Sequence, residues 1–183
     1  DGRKQYDVLF VGRLIENKGI LNLLPVFNKL ILQNPIIQIA IVGKGPLFDD
    51  VKKYIEGNKL SKNIKLSGYV TDKVLIDFYQ KSKVAVFPSL SKEGILTTVL
   101  EATACGVPVV TSKYLGIDAY VKDEKNGLLI DSNDEDCIFE SINNLLTNED
   151  LWQRMSKKAR SLSLDWDWKI KIKDLEKIIN KHE

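Results

Sequence analysis

Apolar and polar residues follow one another along this chain in two distinct periods. Short, nearly continuous apolar runs recur at residues 8–11 (VLFV), 36–42 (IIQIAIV), 64–66, 84–87, 107–111 and 128–130. The first two end at Gly12 and Gly43, and the fourth at Pro88. Runs this short, rich in β-branched residues and closed by a turn former, read as strands buried on both faces. Between them lie segments with the 3.6-residue period of amphipathic helices, at 19–33, 47–56, 72–81 and 97–105. The first stops before Asn34-Pro35, and Pro25 inside it predicts either a kink or a place in the first turns. Ser132-Asn133-Asp134-Glu135 has the pattern of a capping box opening a helix to Leu146, and helical spacing returns at 149–162 and 166–181.

Buried strands alternating with amphipathic helices imply right-handed βαβ units and a parallel sheet. The fold class is therefore α/β, a doubly wound Rossmann-like sheet of about six strands with helices on both faces. No repeat, low-complexity segment or internal linker interrupts it. The length of 183 residues suits one domain, 1–183, closed by a terminal helix at about 166–181. Such a domain buries roughly 70% of its unfolded surface and needs no staple. With 44% hydrophobic residues, 28% charged residues and a net charge of +2, composition does not by itself suggest nucleic acid. No run of 18 apolar residues suggests a membrane span. The polar start DGRKQYD runs straight into a strand, so no signal peptide is expected. Cys105 and Cys137 lack metal or redox spacing and read as reduced thiols of a cytoplasmic protein.

In doubly wound sheets, ligands bind beyond the carboxyl ends of the strands. The loops to search are 12–19, 43–47, 67–71, 88–96 and 112–120. The first carries Gly12, Arg13 and Lys18, the second Gly43, Lys44 and Gly45, and the fourth Ser89, Ser91, Lys92 and Glu93. Two basic residues beside glycines that admit close backbone approach suit a phosphorylated ligand. The N-terminus of the helix near Thr97 adds free N–H groups and partial positive charge. Arg13 and Lys18 together could neutralise a diphosphate without a metal. Neither phosphate fingerprint is complete: there is no P-loop, and Gly43-Lys44-Gly45-Pro46-Leu47-Phe48 lacks the third glycine of the dinucleotide loop.

Glu101 lies about one turn into the helix that follows the fourth loop. A carboxylate near a helix N-terminus accepts hydrogen bonds well and resists protonation. It suits a vicinal diol, such as a ribose, whose phosphates reach the adjacent helix terminus. Glu93, in the loop before the helix, could reach the next group along the ligand.

The spacing of Glu93 and Glu101 resembles the glutamate, seven residues, glutamate motif of retaining glycosyltransferases. Around it, PSLSKEG and EATACGVPVV resemble the Pro-Ser-x-x-x-Glu-Gly and Glu-Ala-x-Ala-Cys-Gly-x-Pro-Val-Val segments of glycosyltransferase family four. VGRLIENKGI, IVGKGP and NGLLID resemble further segments of that family, and WDWKIKI sits where it has a C-terminal Trp. The matches keep their order from about Asp7 to Trp168. The resemblance implies the C-terminal, donor-binding half of a two-domain GT-B architecture, with the N-terminal acceptor domain absent from this chain. It implies transfer of a hexose-type sugar, with retention, from a nucleoside diphosphate sugar to a glycan or lipid-linked acceptor. A UDP-sugar is the favoured donor; no cofactor and no metal are expected. Arg13 and Lys18, beside Gly12, would hold the diphosphate. Glu93 would be the catalytic-site carboxylate on the transferred sugar, and Glu101 would bind the ribose. Backbone at Leu96, Thr97 and Thr98 would meet phosphate or sugar, and Tyr69 and Val70 after Gly68 would border the base.

There are departures from the family pattern. Glu-Gly-Phe-Gly becomes Glu93-Gly94-Ile95-Leu96, and Gly-Gly-x-x-Glu becomes Leu115-Gly116-Ile117-Asp118-Ala119. These predict an altered sugar pocket or looser donor selection. They also keep alive a non-catalytic nucleotide-binding module; an epimerase or phosphorylase of similar shape is the rival among enzymes. Lys44 reads as a solvated loop lysine rather than a ligand contact, Cys105 as core packing, and His182, the lone histidine, as a tail residue. Trp168, Ile172, Leu175 and Ile179 lie at helical spacing among lysines. They fit a helix packed on protein, with a membrane-resting helix at the inner face of the membrane as the alternative. The alternation of Trp166, Trp168, Ile170 and Ile172 also fits a strand.

Overall fold

The computed structural model describes residues 4–90, 97–114, 116–131, 133–167 and 170–172. Six strands form one sheet: β1 (Tyr6–Val11), β2 (Ile39–Val42), β3 (Ile64–Gly68), β4 (Ser82–Phe87), β5 (Val109–Ser112) and β6 (Gly127–Ile130). Every pairing is parallel, and the spatial order is β3-β2-β1-β4-β5-β6. This is the doubly wound order the alternation of strands and helices predicts. The helices are α1 (Ile20–Gln33), α2 (Phe48–Gly57), α3 (Asp72–Gln80), α4 (Thr97–Ala104), α5 (Glu135–Thr147) and α6 (Glu149–Ser163).

Alternate residues of β1 face opposite sides of the sheet and so enter two cores. Val8 and Phe10 join α1, α2 and α5 in one cluster, around Leu23, Phe27, Ile138 and Phe139. Leu9 and Val11 join α3 and α4 in the other, around Phe78, Tyr79, Val99 and Ala102. Helix α6 packs on both α4 and α5. Its Trp152 donates from Nε1 to the Lys83 carbonyl at 2.9 Å, which ties the helix to the start of β4.

Three elements differ from the sequence expectation. The apolar run at 36–42 becomes a strand only from Ile39, because Asn34 starts a turn. Its carbonyl accepts from the Ile37 N–H at 3.0 Å, and Ile36 is left 83% exposed. The run at 107–111 becomes β5 only from Val109, because the Val107 N–H bonds back to the Ala102 carbonyl and closes α4. Asp134, not Ser132, is the N-cap of α5: its Oδ1 accepts from the Cys137 N–H at 2.9 Å. Pro25 lies in the second turn of α1. The expected terminal helix at 166–181 falls largely outside the described residues, as do Ser132, Leu115 and Trp168. What is described there is a 3-10 turn over Leu164–Trp166, whose Trp166 ring packs on Tyr120 at 4.3 Å between centroids, and helical backbone at 170–172, which fits the helix rather than the alternative strand. Among the described residues, no helix is long and apolar enough to cross a membrane.

Candidate functional site

The chain leaves β1 toward β2 and leaves β4 toward β5, on opposite sides of the sheet. β1 and β4 pair side by side, so the crevice outside their carboxyl ends is the topological switch point where such sheets bind ligands. The loops there are fastened to one another by backbone. The Gly12 N–H donates to the Val42 carbonyl at 3.0 Å, the Leu14 N–H to the Lys44 carbonyl at 2.9 Å, and the Gly43 N–H to the Gly68 carbonyl at 2.8 Å. Gly43 has φ +145°, and a Cβ there would lie 1.8 Å from the Gly12 carbonyl oxygen, so only glycine fits. Across the switch point, the Leu90 N–H donates to the Asn17 carbonyl at 2.9 Å. A Cβ on Gly19 would lie 2.0 Å from the Pro88 oxygen. The loop after β4 is thus anchored against the loop after β1 just before residues 91–96.

Onto this frame the chain hangs its charges. Arg13 is exposed and makes no ion pair among the described residues. Lys18 closes a 3-10 turn, Glu16–Lys18, and runs its aliphatic chain past Gly12, where a Cβ would come within 4.0 Å of Lys18 Cδ. A cavity of about 260 Å³ opens between the ends of β1, β2 and β3. Its lining includes Gly12, Arg13, Lys44, Tyr69 and Val70. Tyr69 offers an exposed ring, and Lys44 is exposed as expected. The Lys44 chain nevertheless lies across Gly68, whose missing Cβ would sit 3.5 Å from Lys44 Cε, so this lysine borders the cavity.

Glu101 stands in the second turn of α4, exposed while its neighbour Ala102 is fully buried. Its Oε2 accepts a hydrogen bond from the Tyr79 hydroxyl at 2.9 Å. Tyr79 is 1% exposed. Burial first, and then the charge of Glu101, push its phenol far above the ordinary tyrosine range, so it stays protonated and donates. Both residues line a groove of about 930 Å³ running between α3, α4 and α6. Asp72 and Leu75 line this groove and the smaller cavity alike, so the two adjoin. Arg13, Tyr69 and Val70 thus line one of two adjoining hollows and Glu101 the other.

Thr97 is exposed and Thr98 half-buried at the start of α4. Glu93 and Leu96 lie outside the described residues. Tyr79 carries no local sequence signal of this contact. Its spacing from Leu75 and Phe78 reads as a buried helix stripe, and its partner lies 22 positions away on another helix. Cys105 is half-buried and packs against the second core cluster, and burial raises its thiol pKa. Among the described residues, no group of three or more His, Cys, Asp or Glu could hold a metal.

Comparison with known proteins assigns this architecture to a family. The family model described as "Glycosyl transferases group 1" matches residues 2–162, and the chain belongs to that family. An E. coli UDP-Gal:alpha-D-GlcNAc-diphosphoundecaprenol alpha-1,3-galactosyltransferase is 32% identical over 98% of this chain and 48% of its own length. An uncharacterized glycosyltransferase of Methanocaldococcus jannaschii is 30% identical over 98% of this chain and 46% of its own. The chain thus spans about half the length of these curated relatives. Among solved structures, a mutant of S. aureus TarM in complex with fondaparinux, alpha-GlcNAc-glycerol and UDP superposes with TM-score 0.80 at 25% identity, over 98% of this chain and 36% of that one. The C-terminal domain of a group 1 glycosyl transferase from Francisella tularensis shares the fold, with TM-score 0.77 at 20% identity, over 88% of this chain and 85% of that one. The sheet and its covering helices match the C-terminal domains of GT-B glycosyltransferases.

Proposed function

We propose that this chain is the donor-binding half of a retaining glycosyltransferase of family four. The whole protein would move a hexose from a nucleoside diphosphate sugar, a UDP-sugar first, to a glycan or lipid-linked acceptor. The observation that carries this reading is the pair of adjoining hollows, a cavity at the carboxyl ends of β1, β2 and β3 and a groove between α3, α4 and α6. A cation, Arg13, stands in the smaller cavity, and an exposed carboxylate, Glu101, stands in the groove beside it. A nucleoside diphosphate needs a cationic place for its phosphates and an acceptor for its ribose hydroxyls, and this surface offers both.

The base lies in the cavity bordered by Tyr69 and Val70. The ribose crosses Leu75 to Glu101. The diphosphate turns back over Gly12 to Arg13 and Lys18 and to the first turn of α4 at Thr97 and Thr98, with Leu96 before it in the sequence. The sugar beyond it meets Glu93, the residue assigned to the catalytic centre. No metal is needed where two cations neutralise the diphosphate. Acceptor binding belongs to a domain outside this chain, and the half-length match to the curated relatives supports that division. The names of several relatives record alpha linkages. An alpha product from an ordinary alpha-configured nucleotide hexose means retention, which supports that part of the reading. The group 1 match favours a transferase over an epimerase or a bare binding module.

The test is binding to the purified chain. Glu93→Ala should weaken a UDP-hexose and leave UDP nearly unchanged. Equal loss for both ligands would refute the assignment of Glu93 to the sugar.

A further inference from the structure

We infer that Tyr79 is a positioning residue for nucleotide recognition: its buried hydroxyl holds the Glu101 carboxylate in the orientation that receives the ribose diol. This rests on the reading of Glu101 as the ribose-binding carboxylate.

The geometry joins a fixed donor to a flexible acceptor. The Tyr79 ring is 1% exposed and belongs to the core cluster between the sheet and helices α3 and α4. A tyrosine has two side-chain torsions, and burial freezes both. Glu101 is exposed on α4 and by itself would sample several rotamers, a freedom lost on binding. The 2.9 Å bond from the phenol to Oε2 removes much of that freedom before any ligand arrives. A carboxylate has about four lone-pair sites. Tyr79 takes one, which leaves room for the two O–H donors of a vicinal diol. The other acceptor near the phenol, the Thr98 carbonyl, is 3.4 Å away and neutral, so the charged oxygen is the better partner. The phenol remains a donor through the neutral pH range, because burial and the charge of Glu101 both oppose its ionisation.

Packing alone does not call for this hydroxyl. A phenylalanine would fill the same core volume without bringing a polar atom that must find a partner. The hydroxyl emerges instead at the groove wall, on the one carboxylate of α4, beside Leu75 where groove and cavity meet.

The experiment compares UDP and GDP with their 2′,3′-dideoxy counterparts by calorimetry on the full chain, as wild type, Tyr79→Phe and Glu101→Gln. Each ratio is taken within one variant, so a change in folded fraction cancels. The wild type should prefer the ribose form by about tenfold to a hundredfold. Tyr79→Phe should weaken the ribose form by roughly threefold to tenfold and leave the dideoxy form unchanged, so that the preference shrinks. Should Tyr79→Phe weaken both forms equally, or neither, while Glu101→Gln abolishes the preference, Tyr79 is a core residue only and the ribose reading stands. Should the wild type show no preference, should Glu101→Gln retain it, or should no nucleotide bind, the Glu101 reading itself fails and Tyr79 fails with it.

Discussion

Glu101 sits among buried neighbours on α4, yet its own carboxylate is exposed and accepts from Tyr79. That combination supports the proposed reading of Glu101 as a recognition residue over that of a solvated helix charge. A hydrogen bond to a charged group contributes roughly 1.5–3 kcal/mol, so Glu101→Ala should weaken UDP and a UDP-hexose alike by about tenfold to a hundredfold. If Arg13 faces the diphosphate as proposed, Arg13→Ala should weaken UDP more than uridine and flatten the salt dependence of UDP binding. Isothermal titration at two ionic strengths checks both points; an equal effect on uridine would remove Arg13 from the diphosphate site. The positions of Arg13 and Lys18 after a strand and of Glu101 near a helix start were readable in the sequence, because those boundaries announce themselves locally. Tyr79 was not, since nothing in a one-dimensional period distinguishes a core tyrosine from one whose hydroxyl meets a carboxylate on the next helix.

The helices and strands were readable from their periods, but where pairing begins was not. Ile36 is as apolar as Ile39, yet only the latter pairs with Val8, and the turn at Asn34 decides between them. The loops depend on glycines for two different reasons, which gives a paired prediction. Gly43→Ala meets the Gly12 carbonyl and an unfavourable φ at once, and should cost more than about 2 kcal/mol while lowering nucleotide affinity. Gly116→Ala meets an unfavourable φ in open space and should cost about 1–2 kcal/mol with no change in UDP affinity. Removing the α5 cap by Asp134→Ala should cost about 1 kcal/mol and likewise spare the site. Urea melts rank the three. A Gly43 variant as stable as wild type would mean that the loops do not need this close approach.

On the scale of the molecule, the fold class and strand count follow from the alternation of buried strands and amphipathic helices, and the observed strand order agrees. On the proposed reading the second wall of the site lies outside this chain, which spans about half the length of the matched relatives. A donor half on its own should bind without turning over. The purified chain is expected to transfer no sugar from a UDP-hexose to added acceptors above a heat-treated control, and measurable turnover would overturn the half-enzyme account. The most direct test is calorimetric titration of UDP into the 183-residue chain in EDTA, wild type beside Glu101→Ala. The account predicts one saturable site in the wild type, weakened by added salt and weakened about tenfold to a hundredfold by the substitution. No binding, binding that appears only when magnesium is supplied, or equal affinity in the two proteins would contradict it.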